Sequence, residues 1–212
     1  MKALILVDLQ NDLMPGGALA VPQGQAVIPL ANQLQGYFRV VVATQDWHPA
    51  GHCCFAANHA GKQPGDVILL RKQPQTLWPV HCVQNTRGAE LASGLMLNRV
   101  NKVLRRGTAP EIDGRSGFFD AEHAQSTGLS SYLQDKNVTE VYVMGLATDC
   151  EVKFTALDAV ALGFKAFLIE DACRARNVKP DDGARAIEEM KEAGVSIIST
   201  QQVLQAPVRP KQ

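Results

Sequence analysis

Two hydrophobic periods alternate along this chain. Short, β-branched and almost continuously apolar runs recur at Ala3–Val7, Arg39–Ala43, Val100–Leu104, Glu140–Met144, Lys165–Ile169 and Val195–Ser199, as strands buried on both faces should. Between them lie patterns of helical period at about Ala26–Gly36, Ser126–Lys136, Val152–Leu162 and Asp181–Ala193. Pro180 precedes the last and Gly194 follows it, the expected start and stop punctuation. This alternation predicts an α/β fold: a three-layer, doubly wound sheet of six parallel strands with helices on both faces. One stretch breaks the rhythm. From about residue 47 to 98 the chain is rich in Gly, Pro, His and Gln, with no helix pattern longer than two turns, and so long an irregular insertion in a compact domain is usually functional. One domain is expected over 1–205, carrying this insertion, with 206–212 as a tail.

Composition narrows the functional classes. The chain has 212 residues and 46% hydrophobic content, enough for an ample core. Its 21 basic and 21 acidic residues cancel, so no field favours nucleic acid or an anionic membrane. The apolar start ends at Asp8, too soon for a signal peptide or a membrane span. Five cysteines, odd in number and without a CxxC pair, read as reduced thiols of a cytoplasmic protein. Homo-oligomerisation is left open.

Ligands of an open parallel sheet bind at the carboxyl ends of its strands. Asp8 falls at that end of the first strand, Asp46 of the second, Arg106 of the third and the segment 145–151 of the fourth. Asp46 and His48, two residues apart, are joined later by His81. An N/O set of this kind suits zinc, manganese or iron and leaves coordination positions open for water or substrate. Asp-x-His is a weak signal alone; four strand ends delivering polar groups to one edge is the stronger one. Cys53 and Cys54 could add soft ligands to a metal held by Asp46 and His48, although Phe55 beside them argues for packing.

Several motifs carry a resemblance. Val7-Asp8-Leu9-Gln10-Asn11-Asp12, Gly16-Gly17-Ala18-Leu19, Gln45-Asp46-Trp47-His48-Pro49, Trp78-Pro79-Val80-His81-Cys82-Val83, Phe118-Phe119-Asp120 and Gly145-Leu146-Ala147-Thr148-Asp149 occur in order from residue 3 to about 200. Together they resemble the nicotinamidase (pyrazinamidase) branch of the isochorismatase-like cysteine hydrolases. The resemblance implies strand order 3-2-1-4-5-6, a bound divalent metal that orients a pyridine ring, and hydrolysis of nicotinamide to nicotinate and ammonia, a step of NAD salvage. It implies Asp46, His48 and His81 as metal ligands, His52 as an optional fourth, and zinc first among the metals, with manganese or iron as alternatives. Catalysis in the family uses an aspartate, matched by Asp8, a lysine at the end of strand three and a cysteine at the start of the helix after strand four. Trp78 would wall the pocket.

The chain departs from that pattern at the reacting groups. Arg106 stands at the lysine position and Glu151 at the cysteine position, with Cys150 one residue early. Leu13 stands where the family has phenylalanine, and Arg115 where it often has tyrosine. A carboxylate is a poor nucleophile beside a thiolate, so Glu151 is expected to act as a base on water or as a structural partner. Arginine does not trade a proton, but by pairing it could keep Asp8 ionised. One helical position turns a side chain by about 100°, so Cys150 points off the attack trajectory unless the turn is shifted. Backbone amides of Ala147 and residue 151 are the expected oxyanion hole. Three functions follow: a metal-dependent amidohydrolase of nicotinamidase type, a diverged hydrolase using activated water on another small amide or enol ether, or an inactive relative.

Overall fold

The computed structural model describes residues 1–205, and the expected tail at 206–212 lies outside the described residues. The strands are β1 (Lys2–Val7), β2 (Val40–Asp46), β3 (Val67–Leu70), β4 (Gln73–Thr76), β5 (Lys102–Arg106), β6 (Glu140–Leu146), β7 (Lys165–Arg174) and β8 (Ser196–Ile198). The helices are α1 (Val27–Leu34), α2 (Leu129–Asp135), α3 (Lys153–Ala161), α4 (Asp182–Glu192) and α5 (Thr200–Gln205). Six strands form one sheet in the order β5-β2-β1-β6-β7-β8, every pairing parallel. This is the 3-2-1-4-5-6 order expected, counted over the strands of the main sheet.

The reason lies in the two directions in which the chain leaves the centre. From β1 it crosses to β2 through α1, and from β6 it crosses the other way to β7 through α3. Right-handed crossovers in opposite directions place their helices on opposite faces. Accordingly α1 packs with α5, while α3 packs with α4. The central strands are buried on both sides: β2 is buried along its whole length and β1 from Ala3 onward.

Four differences from the expected elements matter. The third strand of the sheet, β5, begins at Lys102 and runs to Arg106, so Arg106 is its last residue and pairs in register with Asp46. The fifth, β7, continues past Ile169 to Arg174 across a register shift between Val143 and Gly145; the polar Glu170 and Asp171 disguise the extension as loop. The insertion contains an antiparallel hairpin, β3–β4, hidden in the sequence by Pro74 and the glutamines around it. Finally, α3 does not begin at residue 152. Residues 148–152 form a wide π turn in which the Val152 N–H donates back to Ala147 O at 3.1 Å.

Candidate active site

Asp8, Asp46, Arg106 and the 147–151 turn meet at the carboxyl edge of the sheet because β1, β2, β5 and β6 are neighbours and end together. Gln10 fixes Asp46 by exchanging two hydrogen bonds with its backbone: the side-chain amide donates to Asp46 O at 2.8 Å and accepts from Asp46 N–H at 2.8 Å. Beyond β2 the chain runs beside residues 82–84. The His48 N–H donates to Cys82 O and the Gln84 N–H to His48 O, at 3.0 and 2.8 Å. That pairing carries His81 next to His48, their rings 5.1 Å apart edge to face.

Both histidines are set up as ligands. His48 Nδ1 lies 3.0 Å from Gly107 O and His81 Nδ1 lies 2.8 Å from Pro79 O. A ring nitrogen bonded to a carbonyl carries the proton, which leaves Nε2 bare. Those two Nε2 atoms lie 3.3 and 3.9 Å from the Asp46 carboxylate. Asp46, His48 and His81 are buried, and their ligand atoms lie within 4.8 Å of one another. Asp46 Oδ1 is buried without a well-aligned hydrogen bond, with Arg106 Nη1 3.0 Å and His48 Nε2 3.3 Å away. The donor set therefore fits a divalent ion. His52 belongs elsewhere: its Nδ1 faces Cys54 Sγ at 3.0 Å and its Nε2 faces Ile112 O at 3.3 Å.

Gly107, next after Arg106, has φ +61° and lies against the His48 ring so closely that a Cβ would strike it. A glycine is needed there on both counts.

Arg106 ties the site together. Its guanidinium pairs with Asp8 through Nη2 and lies 3.0 Å from Asp46 Oδ1 through Nη1, while Asp8 Oδ1 also accepts from the Thr44 hydroxyl at 2.6 Å. Asp8 was expected to be held ionised by this pairing, and it is at neutral pH, but with a narrow margin: burial, joined by the nearby Asp46 and Glu151 carboxylates, outweighs Arg106 and raises its pKa to about 6. Burial also opposes ionisation of Asp46, but Arg106 and His48 outweigh it and hold that carboxyl far below the ordinary range. Burial lowers His81, whereas at His48 the Asp46 charge overcomes burial and raises it.

The turn at 148–152 brings Glu151 and Cys150 to the same cavity. Glu151 Oε2 accepts the Ala147 N–H at 3.0 Å and lies 3.6 Å from Arg176 Nη2, both side chains nearly buried. Burial raises Glu151, but Arg176 and Arg106 prevail and hold it below the usual carboxylate range, hence ionised. The expected oxyanion hole is thereby corrected: Glu151 consumes the Ala147 donor. Burial and then the Glu151 charge push the Cys150 thiol well above its ordinary value, so it is neutral, the opposite of an activated nucleophile.

One cavity is lined by Asp46, His48 and His81, by Arg106, by Cys150 and Glu151, and by Trp78, Arg115, Asp113 and Leu19 among others. Leu13, expected at the pocket, is instead packed in the core at 1% exposure; Leu19 takes the cavity position. Asp8 and Ala147 are fully buried behind the lining. Sequence reasoning missed Arg176 and Asp113. Arg176 stacks its guanidinium over Trp78 at 4.9 Å and has no motif around it; its one signal is a charge opposite to Glu151, far away in the chain.

Comparison with known proteins agrees with this architecture. A model of the isochorismatase domain matches residues 2–202. The nicotinamidase of Escherichia coli is 47% identical over 200 residues, 92% of this chain and 93% of its own. A solved nicotinamidase/pyrazinamidase from Acinetobacter baumanii superposes with a TM-score of 0.92 at 44% identity, over 95% of this chain and 97% of its own. A pyrazinamidase of Pyrococcus horikoshii solved in complex with zinc gives 0.76 at 39% identity, over 93% and 98%. With the strand order, the ligand set and the motif series all pointing one way, this chain belongs to the isochorismatase family, in its nicotinamidase branch.

Proposed function

We propose that this chain is a metal-dependent amide hydrolase that converts nicotinamide to nicotinate and ammonia with water, in place of a thiol, as the nucleophile. One observation carries the reading: a single cavity is lined by both the Asp46–His48–His81 set and the ionised Glu151. The high identity to nicotinamidases supports the substrate. A divalent ion held by Asp46, His48 and His81, zinc before manganese or iron, would orient the pyridine nitrogen or polarise a water. His52 is left out of this set.

The chain's own residues do the rest. Glu151 takes a proton from water as the water oxygen bonds to the amide carbon. It returns that proton to the amide nitrogen as the carbon–nitrogen bond breaks, releasing ammonia and the acid. Arg106 supplies the positive charge at the cavity that the occupied Ala147 amide cannot. Asp8 and Thr44 position Arg106, Arg176 positions Glu151, and Trp78 and Arg115 bound the substrate. A carboxylate with a lowered pKa is a weak base, so turnover is slow. The activity would place the protein in NAD salvage in the cytoplasm. Among the described residues no helix is long and apolar enough to cross a membrane.

Ammonia release from nicotinamide by the purified chain loaded with zinc, manganese or iron tests this; release above the metal-only background is expected. No release with any of the three sinks it. The second reading would then stand: a diverged hydrolase for another small amide, favoured by three arginines (106, 115 and 176) at or beside the cavity, which suit an anionic substrate.

A further inference from the structure

Beside the open ligand set lies a second one. His48, His52, Cys54 and Asp113 are all buried, and one ligand atom of each lies within 4.8 Å of the others. His52 Nε2 faces Ile112 O, so its Nδ1 carries the lone pair; it lies 3.0 Å from Cys54 Sγ and accepts the Cys54 backbone N–H at 3.3 Å, a bond that ligation would displace. Asp113 accepts one hydrogen bond on each oxygen, from Gly114 N–H and from Gln75, both at 2.9 Å, which leaves a lone pair on each. Four protein ligands, one of them a thiol, match in number and type the closed sets that zinc and cobalt(II) prefer.

A second observation bears on which set an ion takes. In the open set Arg106 already stands 3.0 Å from the Asp46 carboxylate and repels an arriving dication. In the second set the cation beside Asp113 is Arg115, 3.8 Å away and one-third exposed. His48 Nδ1 is committed to Gly107, so only Nε2 is available and the two sets cannot share it.

We propose that His48, His52, Cys54 and Asp113 form a closed thiolate site for a soft divalent ion, which competes with the open Asp46–His48–His81 set for His48. Ligation replaces the Sγ–H bond of Cys54 by an Sγ–metal bond, and the proton leaves to solvent. An ion held there has no coordination position left for water or substrate.

Cobalt(II) added to the purified full chain reports the thiolate directly, through a near-ultraviolet sulfur-to-metal charge-transfer band. The band is expected in the wild type, kept in His81→Ala and lost in Cys54→Ser, with cobalt affinity down about tenfold or more in the last. Asp113→Asn, which keeps the thiol and the volume, should shift the band and weaken binding similarly, and it decides the matter if Cys54→Ser does not fold. One bound cobalt without the band in the wild type overturns the proposal, as does a band that survives Cys54→Ser or is indifferent to Asp113→Asn. The readout is spectral, so it stands or falls separately from ammonia release.

Discussion

At the scale of single residues, the decisive pair is Glu151 and Arg176. Both are buried, and each is the other's compensation. Removing one member of such a pair leaves an uncompensated buried charge, at a cost of about 3–5 kcal/mol. Arg176→Met should therefore destabilise the protein by roughly that amount, and Arg176→Lys should recover part of it; equal denaturation midpoints for the two variants would contradict the pairing. Asp8 offers a test by pH. With its pKa near 6, it is a carboxylate above that value and anchors Arg106, and it becomes neutral as the pH falls through it. Hydrolysis should accordingly decline below about pH 6 with an acid limb that Asp8→Asn removes, and an unchanged limb in that variant would place the titration elsewhere. Much at this scale was legible. Asp46, His48, His81, Trp78, Arg106, Arg115, Cys150 and Glu151 were marked from motifs and strand ends, and all line one cavity. Arg176 was not, because its meaning comes from a partner 25 positions earlier in the chain, and no local pattern encodes that.

At the scale of elements, the site is built by endings. The sheet order was readable because six apolar runs and their connecting helices leave few topologies. The ends were less so. β5 reaches Arg106 and β7 reaches Arg174 because backbone pairing with neighbours continues after apolar character stops. The wide turn at 148–152 is likewise a backbone event, and it decides where Cys150 and Glu151 point. The end of β5 gives a sharp prediction. In Gly107→Ala a Cβ must enter the space of the His48 ring at a positive φ, so His48 shifts. Metal affinity should fall about tenfold or more, measured by calorimetric titration, with a lower melting temperature. Unchanged affinity would mean that His48 is not a ligand.

At the scale of the whole molecule, the balanced net charge leaves specificity to the cavity and the residues just behind it, where Asp8, Asp46, Asp113 and Glu151 are set among Arg106, Arg115 and Arg176. That group carries one negative charge in excess, and a bound divalent ion would reverse it. An ion that binds only the folded state at a hundredfold its Kd adds about 2.7 kcal/mol of stability. For a chain of this size the melting temperature should then rise by roughly 5–11 °C with zinc or manganese, and a chelator should reverse it. The central claim is that water, activated by Glu151, replaces the family's thiol. The most direct measurement is ammonia release from nicotinamide by the metal-loaded wild type, Cys150→Ala and Glu151→Gln side by side. The account predicts that Cys150→Ala keeps activity within a few-fold and that Glu151→Gln loses about 10²-fold or more. Abolition by Cys150→Ala, with Glu151→Gln still active, would contradict it.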